Sequence, residues 1–235
     1  MLGLFRLGDK MKIASFFSGA GGLDKGFERA GFDTIWANEY DPTIWDTFQK
    51  NFPHTHLDKR SITKVESPDV PKVDGIIGGP PCQSWSEAGA RRGIDDKRGQ
   101  LFFDYIRILK DKKPKFFLAE NVSGILDAKH AVAFGNILRE FQEAGYAISY
   151  KLLNANDYDV PEDRHRVIIV GYRTDLNMLF EFPPSQTYRP TLKDAIYNLR
   201  LSTPARDKNK TNGNVLKVPN HELKFHRNAS SHHTE

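Results

Sequence analysis

Short apolar runs alternate with amphipathic segments along residues 11–173, and few folds accommodate this order. Runs of strand character lie at 11–17, 33–39, 73–79, 115–122, 146–155 and 166–173. Segments with the apolar spacing of a helix lie between them, at 23–31, 43–52, 100–113 and 134–145. Such alternation predicts an α/β fold with a mostly parallel, doubly wound sheet and helices on both faces.

Glycine-rich and polar segments follow four of the predicted strands. The sequence reads SGAGG after the first strand, NE after the second, PPC after the third and ENV after the fourth. Ligands of doubly wound sheets bind beyond the carboxyl ends of the strands. We therefore expect these four segments to form one site.

The chain has one cysteine in 235 residues, which excludes an intramolecular disulfide and a zinc site built from several cysteines. No metal is expected, and a cytoplasmic location suits this composition. The formal net charge of +4 favours a polyanionic partner such as nucleic acid. No apolar run approaches the roughly 20 residues that span a bilayer, so no membrane association is expected.

Three segments are expected along the chain. Residues 1–10 precede the first strand pattern and are interpreted as an N-terminal extension. Residues 11–200 contain the alternating pattern and are predicted to form one domain. Residues 201–235 are polar and without periodicity, which indicates a linker or tail whose continuation is absent.

The turn after the first strand carries Gly19, Gly21 and Gly22. Glycine permits close backbone approach, and the helix that follows offers free N–H groups to a ligand. The spacing is neither G-x-G-x-x-G nor the phosphate-binding lysine motif. Glu39, at the end of the second strand, suits a carboxylate that accepts bonds from ribose hydroxyls. A purely structural tight turn is the alternative.

Four further residues are candidates for chemistry. Cys82 follows two glycines and two prolines at a strand end, a context that directs a thiol and suits a nucleophile. Glu120 ends a strand rich in Phe and Leu, where a partly desolvated carboxyl suits proton donation. Arg164 and Arg166 alternate at a strand start, so they share a face and suit a phosphate or a carbonyl. A buried apolar cysteine and solvated charges are the alternatives.

Six segments together resemble the cytosine-C5 DNA methyltransferases. In order they are FFSGAGGLDKGF, ANEYD, DGIIGGPPCQSWS, DDKRGQLFFDYIRIL, FFLAENVSGIL and NANDYDVPEDRHRVIIVG. Residues 80–99 and 207–214 look particularly like bacterial modification methylases specific for GGCC. The resemblance implies a Rossmann-like fold that depends on S-adenosylmethionine, with 11–200 as its catalytic domain.

The resemblance also implies a cofactor site for S-adenosylmethionine, with S-adenosylhomocysteine as product. Phe17 would stack on the adenine, and Glu39 would hold the ribose. Ser61 stands where the family has an aspartate, and Asp58 lies nearby but out of register. The remaining candidates for cofactor binding are Gly19, Gly21, Gly22, Tyr40, Ile62, Pro81 and Leu101.

For catalysis, the resemblance implies that Cys82 attacks C6 of a cytosine flipped out of double-stranded DNA. Glu120 would bond to N3 and the exocyclic amine, while Arg164 and Arg166 would steady the base carbonyl and the thiol loop. Loss of the C5 proton and elimination of the thiol would then release 5-methylcytosine. A cognate restriction endonuclease is the expected functional partner.

The chain departs from the family pattern in several places. Where the family has Y-G-V-P-Q-x-R-x-R, Asp159 replaces glycine and Glu162 replaces glutamine. Neither the target-recognition domain nor the last motifs are found, so we expect an incomplete molecule. A second chain that carries the recognition domain is one alternative source of the missing part. The alternatives are a catalytically silent remnant that binds S-adenosylmethionine or nucleic acid and, less favoured, an enzyme that methylates RNA.

Overall fold

The computed structural model describes residues 10–81 and 100–197, which form a seven-stranded sheet flanked by helices. The strands are β1 (Lys12–Phe16), β2 (Asp33–Asn38), β3 (His56–Asp58), β4 (Gly75–Gly78), β5 (Phe116–Val122), β6 (Tyr146–Asn154) and β7 (His165–Arg173). The helices are α1 (Gly22–Arg29), α2 (Trp45–Asn51), α3 (Gln100–Lys112), α4 (Ala131–Glu143) and α5 (Leu192–Ile196). The strand order is β3-β2-β1-β4-β5-β7-β6.

The prediction of a mostly parallel α/β fold is confirmed. Strands β1 to β5 pair in parallel, whereas β7 lies antiparallel between β5 and β6. The reversal follows from the connection 155–164, because a parallel return needs a crossover of about a dozen residues or more. Every strand and helix expected from the sequence is present within a few residues of its predicted bounds, while β3 and α5 were not predicted.

Helices cover both faces of the sheet, as predicted. On one face, α3 and α4 bury a large cluster in which the ring of Phe117 lies 4.3 Å from that of Phe141 and 5.1 Å from that of Tyr146. On the other face, apolar residues of α1 pack against Ile13 and Ile77, and those of α2 pack against Ala37. This packing fixes the positions of the carboxyl ends of the parallel strands relative to one another at one edge of the sheet.

Within the described ranges, no helix is both long enough and apolar enough to cross a membrane. The boundaries predicted at residues 10 and 200 lie at or beyond the limits of those ranges, so the division into three segments stays a prediction.

Candidate active site

The loop between β1 and α1, residues 17–21, is the glycine turn, and it contains three left-handed residues. The φ angle is 53° at Phe17, 54° at Gly19 and 87° at Gly21. At Gly21 an added Cβ would lie 2.1 Å from Cε2 of Phe52, so no larger side chain fits. Phe17 is half-buried against the core and keeps a conformation that costs a phenylalanine roughly 1–3 kcal/mol. Strain of this kind is typical of ligand-binding turns.

Glu39 is fastened to the glycine turn by its carboxylate. The Gly19 N–H donates to Oε2 at 2.8 Å, and the Asp41 N–H donates to Oε1 at 2.8 Å. The indole N–H of Trp45 donates to the Glu39 carbonyl at 2.8 Å. A carboxylate has about four acceptor positions, so each oxygen keeps room for a further donor. The structure thus joins two segments that the sequence placed in one cofactor site, and the remaining acceptor positions fit a pair of ribose hydroxyls.

β3 ends at Asp58, and Ser61 and Ile62 follow it in the chain. Burial opposes ionisation of Asp58, but hydrogen bonds and charge from Arg60 outweigh it and hold the pKa of that carboxyl below its usual value. Arg60 donates from Nε to Oδ1 of Asp58 at 3.0 Å and from Nη2 to Oδ2 at 2.5 Å. Asp58 therefore stabilises the local fold. Ser61 caps a short 3-10 turn by accepting from the Thr63 N–H, and the side chain of Ile62 is buried in the core.

The chain leaves β4 through Gly79, Pro80 and Pro81. The Asn121 amide donates to the Pro80 carbonyl at 3.0 Å and ties this exit to β5. A Cβ added at Gly79 would lie 3.2 Å from Oε2 of Glu120, so glycine allows the carboxylate to approach the backbone. Cys82 follows Pro81 directly in sequence and lies outside the described residues.

Glu120 and Arg166 form an ion pair across β5 and β7. The register sets Val122 opposite Arg166, and the guanidinium Nε lies 2.8 Å from Oε1 of Glu120. Both side chains are about two-thirds to three-quarters buried, which strengthens an ion pair over one at the surface. The carboxylate is therefore held in one orientation beside the exit of β4.

Arg164 occupies a different setting from Arg166. It precedes β7, its side chain is half exposed, and its Nη1 lies 3.5 Å from Oε1 of Glu162. Glu162, which replaces the glutamine of the family pattern, thus places a negative charge beside Arg164. Asp159 has φ of 65°, the left-handed conformation that suits the glycine expected there.

The structure brings most of the predicted side chains to one edge of the sheet, where they differ in burial and in hydrogen-bond partners. Glu39 with Gly19 forms one group, and Glu120 with Arg166 forms another. Of the other candidates, Tyr40 is 70% exposed, Leu101 and Pro81 are half-buried, and Gly22 opens α1. Their individual roles stay predictions.

Asn121 is a structural contributor to the site that the sequence analysis missed. It follows Glu120 on β5, so its side chain lies on the opposite face of the strand, where it is 3% exposed. A signal was present, because a buried amide next to a candidate acid needs a partner. The partner, the Pro80 carbonyl just beyond the end of β4, could be known only from the fold.

A seven-stranded sheet in this order, with β7 reversed and a glycine turn bound to an acidic residue after β2, defines the Rossmann-like fold of S-adenosylmethionine-dependent methyltransferases. The family model described as C-5 cytosine-specific DNA methylase matches residues 11–234. The chain belongs to that family.

Comparison with individual proteins agrees with this assignment. The Type II methyltransferase M.FnuDI of Fusobacterium nucleatum is 57% identical over 216 residues, which are 90% of this chain and 62% of that protein. M.AquIA of Picosynechococcus is 38% identical, and the match covers 82% of this chain and 90% of M.AquIA. A solved DNA modification methyltransferase encoded within an E. coli prophage has a TM-score of 0.69 at 32% identity, over 80% of this chain and 55% of that one. The chain spans just under two thirds of the length of the first of these relatives.

Proposed function

We propose that this chain is the catalytic portion of a DNA cytosine-5 methyltransferase of a restriction-modification system. The observation that carries the proposal is the Glu120–Arg166 ion pair, which stands beside the strand exit that leads to Cys82. On the other side of this exit, the glycine turn follows β1 and Glu39 follows β2. Family membership supports the proposal, and so does the Type II methyltransferase activity named for its relatives.

On the cofactor side, S-adenosylmethionine supplies an electrophilic methyl group when bound. Glu39 would accept hydrogen bonds from the ribose hydroxyls through the acceptor positions left free by Gly19 and Asp41. The strained turn holds the ring of Phe17 in place for the adenine. The free N–H groups at the start of α1 would offer further donors to the same ligand.

On the base side, Cys82 adds through its thiolate to C6 of a cytosine that has left the duplex. The C5–C6 electron pair would shift toward C5, which would take the methyl group as the bond between that methyl and the sulfonium sulfur breaks, leaving S-adenosylhomocysteine. Glu120, held by Arg166, would accept a hydrogen bond from the exocyclic amine and, in its protonated form, donate one to N3, which favours the addition. Loss of the C5 proton then expels the thiolate. Base flipping costs a few kcal/mol, which phosphate and pocket contacts offset.

Target selection needs more than this arrangement. Sequence is read by contacts to base edges, whereas the described side chains of the site act on the cofactor and on a single base. We propose that the recognition elements lie outside the described residues, in a C-terminal region or on a second chain, and that the target is GGCC. Resemblance in residues 80–99 and 207–214 supports that target, and a cognate endonuclease would be the cellular partner.

The test uses the whole chain and duplex DNA that carries 5-fluorocytosine within GGCC. We expect a covalent adduct with the wild-type chain and none with Cys82→Ser. If calorimetry shows that the chain binds the cofactor but no adduct forms, the chain is a catalytically silent binding module and the proposal of an enzyme is wrong. Faster methyl transfer to RNA than to DNA would contradict the proposal that DNA is the substrate.

A second measurement tests the need for further recognition elements. With radiolabelled S-adenosylmethionine, we expect the isolated chain to give slow turnover with little preference for unmethylated GGCC duplexes over a scrambled duplex. Full turnover at GGCC, with none on a scrambled duplex, would show that the chain reads DNA without assistance.

A further inference from the structure

Asn38 is a buried polar residue at the end of β2, between the ends of two neighbouring strands. The register sets it opposite Phe16, the last residue of β1, and opposite Asp58, the last residue of β3. It is 2% exposed. A buried amide costs free energy unless it forms hydrogen bonds, so the partners of Asn38 show which parts of the chain it stabilises.

The side-chain amide of Asn38 holds the loop that follows β3. Its Nδ2 donates to the Asp58 carbonyl at 3.1 Å and to the Arg60 carbonyl at 2.8 Å. An amide nitrogen carries two donor hydrogens, and these two carbonyls use both. The Glu39 N–H donates to the same Asp58 carbonyl at 3.1 Å. The loop after β3 is therefore fastened both to Asn38 and to the residue that follows it.

The main-chain carbonyl of Asn38 holds the glycine turn. The Ser18 N–H, within the loop 17–21 that follows β1, donates to this carbonyl at 3.2 Å. The Gly19 N–H, next along the chain, donates to the Glu39 carboxylate. One residue thus binds the loops after β1 and after β3, one through its carbonyl and the other through its side chain.

We propose that Asn38 is a positioning residue for the adenosyl cofactor, which fixes the loops after β1 and β3 relative to Glu39. These loops carry Phe17 on one side and Ser61 with Ile62 on the other. The proposal rests on the proposed function in taking S-adenosylmethionine as the ligand at this edge of the sheet. Both side-chain donors of Asn38 bind main-chain carbonyls, so the residue acts through the backbone of the loops.

Calorimetric titration of the whole chain with S-adenosylhomocysteine tests the proposal. Asn38→Ala removes both donors and should weaken binding by about tenfold or more, because the loop after β3 loses its bonds to β2. Asn38→Ser keeps one hydroxyl donor, so its affinity should lie between those of Asn38→Ala and wild type. Thermal unfolding identifies the variants that fold, and Asn38→Ser carries the test if Asn38→Ala does not fold.

A matched control lies at the opposite end of the same two strands. The hydroxyl of Thr55, just before β3, donates to the Thr34 carbonyl on β2 at 2.6 Å. Thr55→Val removes this bond with little change in side-chain size, so it should cost stability and leave the affinity unchanged. If a loss of stability alone weakened binding, Thr55→Val would weaken it as well.

Hydrogen exchange of the chain without ligand measures the loops directly. The Glu39 N–H is bonded to the Asp58 carbonyl, and the Lys64 N–H is bonded to the Ser61 carbonyl. In Asn38→Ala both amides should exchange about tenfold faster or more, because the loop that carries these carbonyls is released. Exchange in β6 and β7, which lie at the far side of the sheet, should be unchanged.

The yield of adduct with 5-fluorocytosine DNA separates cofactor binding from the base side of the site. In Asn38→Ala the yield should return to that of wild type when S-adenosylmethionine is present well above its weakened dissociation constant. The reason is that Glu120 and Arg166 keep their contacts in this variant.

Four outcomes overturn the proposal. Wild-type affinity in Asn38→Ala does so, as does an equal loss of affinity in Thr55→Val. An adduct yield that stays low at saturating cofactor, with a wild type that forms the adduct, also contradicts it. Unchanged exchange at Glu39 and Lys64 overturns it without reference to any ligand. If the wild-type chain binds no S-adenosylhomocysteine, the proposed function fails, and the exchange measurement still decides whether Asn38 holds the loops.

Discussion

Replacing Asp24 by asparagine should stabilise the protein at neutral pH, and the magnitude follows from burial of the carboxyl. Burial, opposed by the Ser15 hydroxyl, raises the pKa of Asp24 from 3.8 to about 6. The native state therefore holds the proton more tightly than the unfolded chain does. As pH rises from about 4 to about 6, the free energy of unfolding falls, and it stays lower above that range. At about 1.4 kcal/mol for each pH unit between the two pKa values, the loss is about 3 kcal/mol.

Urea unfolding followed by tryptophan fluorescence measures this effect in wild type and in Asp24→Asn at several pH values between 4 and 7.5. Asparagine does not ionise, so the stability advantage of the variant should grow by about 3 kcal/mol across the range, while all shared titrations cancel. Asp41→Asn is the control without a trend in this range. Hydrogen bonds from Thr43 lower the pKa of Asp41 below its ordinary value of 3.8, so its contribution to stability is nearly constant above about pH 4 and is lost only in stronger acid. An advantage of Asp24→Asn that is the same at pH 4 and pH 7.5 would refute the reasoning.

Three further substitutions test the site. Arg166→Ala removes the guanidinium 2.8 Å from Glu120 and should lower the yield of 5-fluorocytosine adduct by about 100-fold; a wild-type yield would contradict the role of the pair. The same variant should lose about 1–3 kcal/mol of stability, because it leaves a largely buried carboxylate without its partner. Glu162→Gln frees Arg164 and should tighten duplex DNA binding in anisotropy titrations, with a salt slope steeper by about 0.9 if Arg164 contacts a phosphate. Asp159→Ala should be less stable than Asp159→Gly by about 1 kcal/mol in thermal unfolding, because glycine adopts a φ of 65° without strain; equal stabilities would contradict this.

The strands and helices were predictable because their apolar spacing is a local property of the chain. Strand β3 escaped prediction because three residues are too few to show a period. The reversal of β7 was implicit in the short connection 155–164, although the alternation pattern alone gives no strand direction.

The site was predictable in its location but not in its pairings. The carboxyl ends of the strands placed Glu39 and Glu120 at one edge, as the doubly wound fold requires. The partner of Glu120 depends on the register of β5 with β7, which joins residues distant in sequence. The burial of Asp24 was also hidden, since a charged residue in a polar helix is expected to face solvent. Only the rotation of α1 against β1 turns it inward.

Strand β4 divides the groups of the site into two neighbourhoods. Glu39 follows β2 and Glu120 lies on β5, three strands away, which is roughly 14 Å at the usual strand spacing. Perturbations separated by more than about 10 Å without shared partners usually add. The two neighbourhoods are therefore separable modules, and one can be altered by substitution while the other keeps its properties. Under the proposed function, a polypeptide with this layout can exchange the residues around Glu120 in evolution or in engineering and retain the pocket around Glu39.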